Sequence, residues 1–190
     1  MKYFFAFILM LTCFYSPAQI PSPKIPPLDK SPMDMSYFPV NYPILKIQDK
    51  NVAPLVMRVI YSRPQVNGRK IFGGLQEYGQ VWRLGANEAT EIEFFKDVAI
   101  NNKKIKKGRY TLYAIPYPDK WTVIVNKETD TWGSFRYDSL KDVVRMDVPV
   151  EKNDPTEDMT IVFEKTNSGA NMNMYWEDVK ATLPIKFLIQ

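Results

Sequence analysis

Apolar residues recur at every second position in most segments after residue 40, and this alternation is the strongest constraint on the fold. In LVMRVIY, the side chains of Leu55, Met57, Val59 and Tyr61 fall on one face, as in a half-buried β-strand. Turn-forming Gly, Pro, Asn and Asp separate such segments, so the sequence predicts about eight to ten short antiparallel strands. The predicted strands cover residues 55–61, 91–95, 98–100, 103–106, 109–115, 121–125, 143–150, 159–164, 172–176 and 179–187.

These strands predict one all-β domain at residues 37–190, folded as an antiparallel β-sandwich of the immunoglobulin-like or jelly-roll kind. The pattern indicates no second domain and no helix longer than two turns. Residues 19–36 precede the domain and carry five prolines, a composition typical of an extended, polyproline-like arm. Alternatively, Met33, Met35, Tyr37 and Phe38 lay this arm along the domain surface.

Residues 1–18 have the pattern of a secretory signal peptide. Lys2 gives a positive start, residues 3–15 form an apolar run, and small residues end the segment. The run is shorter than the roughly 20 residues that span a bilayer. Thr12 directly precedes Cys13 and disfavours lipid anchoring at that cysteine. The sequence therefore predicts an exported protein, periplasmic or extracellular, with no transmembrane segment after cleavage.

The chain contains no histidine, and its only cysteine lies in the predicted signal peptide. This composition excludes a Ser-His-Asp triad, a Cys–His nucleophile and an ordinary zinc site. The glycine motifs that bind phosphates or dinucleotides are also absent from the sequence. We therefore expect no metal and no cofactor, and any catalysis would use carboxylates, Tyr, Lys or Arg. Predicted export and a net charge of only +4 argue against nucleic acid as a partner.

Five segments carry distinctive motifs. They are SPMDMSYFPVNYP (31–43), VIYSRPQVNGRKIFGGL (59–75), YGQVWRLGANEATEIEF (78–94), KKGRYTLYAIP (106–116) and WTVIVNKETDTWG (121–133). In these motifs the chain resembles the exported bacterial family catalogued as domain of unknown function 2911, over most of the mature sequence. The resemblance implies an exported, single-domain β-protein of the bacterial envelope. It supplies no established activity, substrate or catalytic residue.

The motif WRLGANEAT (82–90) places an aromatic, an arginine, an asparagine and a glutamate in one short segment. If Glu88 is enclosed, it requires a cationic partner, and Arg63 or Arg83 could form a bidentate ion pair with it. Alternatively, these side chains form a pocket, in which surplus positive charge would suit an anionic or polyol ligand. The sequence leaves both alternatives open. The candidate ligand-binding residues are Arg63, Arg69, Tyr78, Trp82, Arg83, Asn87, Glu88 and Trp132.

Glu91 and Glu93 are two residues apart on one predicted strand and share a face. A separation of roughly 7 Å follows from strand geometry. It would suit the acid/base pair of a glycosidase or a hard-cation site. Solvent-facing acids on an amphipathic strand give the same pattern, and we favour that interpretation.

Three classes of function remain. The sequence favours a non-catalytic binding module for a glycan or a partner protein, in which Trp132 stacks on a sugar face. The first alternative is a histidine- and metal-independent enzyme acting on envelope polysaccharide, with Glu88 or Tyr78 as base and Arg83 stabilising anionic charge. The second alternative is a scaffold subunit of an envelope assembly that docks through residues 19–36. Ligand identity and oligomeric state are not determined by the sequence.

Overall fold

The computed structural model describes residues 24–48 and 51–188 of the chain. The predicted signal peptide at residues 1–18 and residues 19–23 of the arm lie outside the described residues. None of the helices in the described part of the chain has both the length and the apolar character that crossing a bilayer requires.

Nine β-strands, one α-helix and one short 3-10 helix form the regular structure of the described residues. All pairings between these strands are antiparallel, which confirms the predicted all-β class. The choice between an immunoglobulin-like and a jelly-roll sandwich stays a prediction. The elements are β1 (Met33–Phe38), α1 (Tyr42–Gln48), β2 (Met57–Ser62), β3 (Glu91–Phe94), β4 (Val98–Ile100), β5 (Lys103–Ile105), β6 (Gly108–Pro116), β7 (Lys120–Asn126), the 3-10 helix Ser139–Lys141, β8 (Asp142–Thr166) and β9 (Gly169–Phe187).

Strand β8 is longer than predicted, because the polar residues 151–158 continue the strand instead of interrupting it. Its residues 142–149 pair with β7, and its residues 150–166 pair with β9. Register shifts on either side of Thr156 accommodate the polar segment, as β-bulges do. The strand order is therefore β1-β2-β3-β6-β7-β8-β9-β4-β5, with β8 as the strand that connects the two halves.

The second half of β8 also contacts the first two strands. The amide of Met159 donates to the carbonyl of Pro64 at 3.0 Å. The hydroxyl of Ser36, in β1, donates to the carbonyl of Ile161. Residues 33–36, which the sequence assigned to the proline-rich arm, are therefore part of a paired strand, and the folded region begins earlier than predicted.

Pro184 lies inside β9, and a proline within a strand is typical of the edge of a sheet. The strand order instead places β9 between β8 and β4. Its ladder with β8 runs as far as Ala181, and its ladder with β4 begins at Lys186. Residues 182–185 have no partner in these described ladders, so the missing N–H of Pro184 costs no ladder hydrogen bond.

Four aromatic rings form the centre of the core. Trp82 and Trp176 are stacked, with ring centroids 5.7 Å apart and an interplanar angle of 19°. Trp121 meets Trp82 edge-on at 5.5 Å, and Phe72 contacts all three indoles. All four side chains are buried. Edge-on and offset contacts of this kind add to the free energy of burial, so this cluster holds the surrounding strands in place.

We expect Trp121→Ala to lower the free energy of unfolding by about 3–5 kcal/mol, because it leaves a large cavity among these rings. For a chain of this size, the thermal midpoint should fall by roughly 6–20 °C. Trp132→Ala is the matched control: that indole is 61% exposed, and its loss should change the free energy of unfolding by less than about 0.5 kcal/mol. Thermal unfolding followed by circular dichroism measures both, and equal losses would contradict this description of the core.

Candidate functional site

Segment 82–90 is a compact turn that Trp82 anchors in the core. The indole N–H of Trp82 donates to the carbonyl of Gly85 at 3.1 Å. The hydroxyl of Thr90 donates to the carbonyl of Leu84 at 2.5 Å. Trp82 is only 2% exposed, so its ring serves the core and offers no face to a ligand.

Arg63 holds strands together and does not contact Glu88. Its guanidinium donates to Asp34 at 3.0 Å, to the carbonyl of Met159 at 3.1 Å and to the hydroxyl of Thr160 at 3.0 Å. These three bonds connect the end of β2 to β1 and to the second half of β8. The role of Arg63 is therefore structural.

The predicted ion pair between Glu88 and an arginine does not form within the described residues. Glu88 is exposed and makes no salt bridge in residues 24–48 and 51–188. Arg83 is half-buried, and its Nε is buried without a hydrogen-bond partner in the described part of the chain. Burial lowers the pKa of Arg83. The interpretation of 82–90 as an Arg–Glu pair that pins the loop is therefore wrong, because no arginine reaches Glu88.

Arg69 and Tyr78 make local contacts instead of joining a cluster around Glu88. Arg69 donates to the carbonyl of Val66 at 2.9 Å and also to that of Gln65, which closes the turn around it. Tyr78 lies over Gly73, where a Cβ atom would stand only 2.6 Å from the tyrosine ring. The structure therefore does not bring these two candidates together with the rest.

The segment 81–89 holds the loop between β7 and β8, residues 127–141, which we call the aromatic loop. The amide of Gly133 donates to the carbonyl of Asn87, and the amide of Ala89 donates to the carbonyl of Thr131, both at 2.9 Å. Between them, Glu88 and Trp132 form an isolated antiparallel bridge. Backbone pairing therefore fixes this loop, and the polar side chains of 82–90 do not.

The base of the aromatic loop has its own packing. Tyr137 meets Tyr113 edge-on, with ring centroids 5.1 Å apart. The Tyr137 hydroxyl donates to Asp142 at 2.6 Å, and burial together with this carboxylate raises the pKa of Tyr137 to about 12. Asn126, which is 1% exposed, donates to the carbonyl of Asp138 at 3.0 Å. Both ends of the loop are therefore fixed to the strands.

The aromatic loop encloses a surface cleft of about 600 Å³. Trp132 and Phe135 are 61% and 83% exposed. Phe135 lies against Gly133, where a Cβ would stand 2.6 Å from the phenyl ring, so the two aromatic side chains flank a turn that favours glycine. The residues lining the cleft are Glu128, Thr129, Asp130, Thr131, Trp132, Phe135, Arg136 and Lys141.

A smaller pocket of about 190 Å³ adjoins this cleft and shares Asp130 and Thr131 with it. Its walls are mostly apolar, and three carboxylates are among the side chains that line it. We call it the acidic pocket. It is lined by Met33, Ile60, Tyr61, Ser62, Glu88, Ala89, Glu91, Arg109, Asp130 and Thr131.

Arg109 connects the acidic pocket to the aromatic loop. Its guanidinium lies 2.6 Å from Glu91 and 2.7 Å from Asp130. The hydrogen bond from Arg109 lowers the pKa of Asp130, and the Asp130 amide donates to Glu91 at 2.6 Å. Glu93 is paired with Arg58 at 2.8 Å. Each of the two neighbouring glutamates thus has its own arginine, as expected for acids on an amphipathic strand.

Among the sequence candidates, the structure brings together Asn87, Glu88 and Trp132 at the aromatic loop and the acidic pocket. Sequence reasoning missed Ser62, Thr131 and Arg109, which come from three different elements. Only their strand pairing reveals that they meet. Phe135 carried a usable signal, because it lies between Trp132 and Tyr137 in the same loop.

The protein is an all-β domain with antiparallel strands and an aromatic core. Its candidate site is the surface cleft formed by the aromatic loop. The chain belongs to the family described as "Protein of unknown function (DUF2911)", whose sequence profile matches residues 45–185. This match confirms the resemblance carried by the motifs. Neither a curated protein nor a solved structure matches the chain. The aromatic loop and segment 81–89 both lie inside the matched region, so the residues that line the cleft fall within the match.

We expect Arg63→Ala to lower the free energy of unfolding by about 1–3 kcal/mol, because it removes three hydrogen bonds between strands. Glu88→Gln should change it by less than about 0.5 kcal/mol, since the carboxylate is exposed and has no ion pair in the described residues. Urea unfolding of both variants beside the parent chain measures the difference. A loss in Glu88→Gln as large as that in Arg63→Ala would show that Glu88 has a cationic partner in solution.

Proposed function

We propose that the protein is an exported, non-catalytic binding module that holds a glycan in the cleft beside Trp132. The observation that carries the proposal is a tryptophan that is 61% exposed on a loop fixed by backbone hydrogen bonds. Export rests on the signal-peptide pattern of residues 1–18. The module would therefore meet its ligand in the periplasm or outside the cell.

The chemistry of the cleft suits a sugar chain. An indole offers a flat apolar face that packs against the C–H face of a pyranose ring, and this burial is favourable. Glu128 and Thr129 supply hydrogen-bond acceptors for sugar hydroxyls, and Arg136 supplies donors. A neutral polyol requires an apolar platform beside both hydrogen-bond donors and hydrogen-bond acceptors, and the cleft offers this combination.

The aromatic loop is held in place before any ligand binds. Asn126 uses its amide group to bond Asp138 and Asp142, and its side-chain oxygen accepts from the amide of Glu128 at 2.9 Å. Ser134 donates to the carbonyl of Val81 at 3.0 Å. Ordering a loop on binding costs free energy, so a loop that is already ordered favours affinity.

Binding is favoured over catalysis by the arrangement of the charged groups. Arg109 is hydrogen-bonded to Glu91 and Asp130, which leaves Glu88 as the carboxylate of the acidic pocket without a described ion pair. Tyr78, the other candidate base, lies over Gly73 and does not line the cleft or the acidic pocket. This arrangement therefore does not support catalysis by a general acid and a general base that face the same glycosidic bond.

A fluorescence experiment tests the proposal, because Trp132 differs from the other three tryptophans, which are at most 2% exposed. We expect a glycan that binds the cleft to protect Trp132 from quenching by acrylamide. Trp132→Ala should weaken binding roughly ten- to hundred-fold, which corresponds to losing about 1.5–3 kcal/mol of apolar contact. Soluble oligosaccharides of chitin, peptidoglycan and mannan are the probes.

Leu140→Ala is the matched control, since Leu140 is 92% exposed on the same loop and does not line the cleft. Its affinity should equal that of the parent chain. Failure of every oligosaccharide to protect Trp132, or equal binding by Trp132→Ala, would contradict the proposal. Release of new reducing ends during the titration would favour the enzyme alternative instead.

A further inference from the structure

The acidic pocket lies beside the glycan cleft. Asp130 and Thr131 line both spaces, so a chain of sugar rings lying on Trp132 has the acidic pocket next to it. The volume of about 190 Å³ is below the 300–1,000 Å³ of pockets that hold a whole drug-sized ligand. It suits one ring or one substituent of a longer ligand.

The charge of this pocket is negative. Three carboxylates line it, from Glu88, Glu91 and Asp130, against the single guanidinium of Arg109. Arg109 is already hydrogen-bonded to Glu91 and Asp130, and Glu88 makes no ion pair within the described residues. The sequence suggested surplus positive charge for an anionic ligand. The structure has the opposite sign, because the arginines expected beside Glu88 lie in other contacts.

A second, independent observation is the hydroxyl of Ser62. Ser62 is 2% exposed and lines the pocket, and its side chain makes no hydrogen bond with any residue in 24–48 or 51–188. The hydroxyl oxygen is not fully buried, since the fully buried side-chain N and O atoms without a partner in the described residues are Arg83 Nε and Trp176 Nε1. An unpaired hydroxyl on an otherwise buried residue of a pocket wall is available to a ligand, because polar groups in such positions are usually paired.

We propose that the acidic pocket receives a sugar ring bearing a free, protonated amino group, so that the ligand class is a glycan with unacetylated amino sugars. The ammonium group pairs with Glu88. The hydroxyl of Ser62 bonds a ring hydroxyl, and Ile60 and Ala89 contact the C–H face of the ring. This inference rests on the proposed glycan function and adds a preference for a cationic sugar.

The test compares chitin tetrasaccharide with its fully deacetylated counterpart, the glucosamine tetrasaccharide, by isothermal titration calorimetry. A pH of about 6 keeps most of the amines protonated, since electron-withdrawing neighbours give a sugar amine a basicity like that of an α-amino group, which titrates near 7.7–8.0. We expect the parent chain to bind the glucosamine tetrasaccharide about ten-fold more tightly, as a charge-assisted hydrogen bond predicts. In Glu88→Gln this preference should fall to within about two-fold.

Two further variants separate the pocket from general charge effects. Glu77→Gln removes the same charge from an exposed residue that lines neither space, and should keep the full preference. Ser62→Ala should leave the thermal midpoint unchanged, because the hydroxyl has no described partner. It should weaken binding of the glucosamine tetrasaccharide roughly three- to ten-fold.

Equal affinity of the parent chain for both tetrasaccharides would overturn this inference and leave the glycan function standing. A preference that survives in Glu88→Gln, or that disappears equally in Glu77→Gln, would also overturn it. Absence of binding by either tetrasaccharide, with Trp132 still open to acrylamide in the presence of every other oligosaccharide, would overturn both proposals. Binding of a lysine-rich peptide through Glu88 in place of any sugar would assign the acidic pocket to a protein partner and overturn the amino-sugar assignment.

Discussion

The fold depends on strand β8, because this strand pairs with β7 along its first part and with β9 along its second. At Ile161 its second part also bonds to Ser36 of β1 and to Tyr61 of β2. Strand β8 thus connects the strands that precede it in the sheet order with those that follow it. The aromatic loop ends where β8 begins, so the position of the cleft follows from the same strand.

The alternation of apolar residues predicted the all-β class and the approximate positions of β2, β3, β6 and β7. It failed in β8, because residues 151–158 are charged or polar and include Pro155, a composition that resembles a loop. Bulges on either side of Thr156 keep such residues in a strand, and bulges leave no clear local signal. The length of β8 therefore depends on contacts between residues distant in sequence. A local sequence pattern carries no information about such contacts.

The candidate site was predictable in part. Trp132 was recognisable as a candidate from the sequence, and segment 82–90 concentrates polar and charged residues in a short stretch. The partner of each charge was not predictable, because register decides it: Arg63 meets Asp34 and Arg109 meets Glu91 through neighbouring strands. Residue type alone predicted an ion pair between Glu88 and either Arg63 or Arg83. The sign of the charge in the acidic pocket followed from pairings that only the fold specifies.

The aromatic loop is attached to segment 81–89 mainly through main-chain atoms, at Gly133, Asn87, Ala89 and Thr131. Main-chain hydrogen bonds do not depend on side-chain identity. Most side chains that line the cleft can therefore be exchanged without changing the path of the loop. Such a frame permits binding preference to diverge among chains of the same architecture, in the way that variable loops on a constant scaffold acquire new targets.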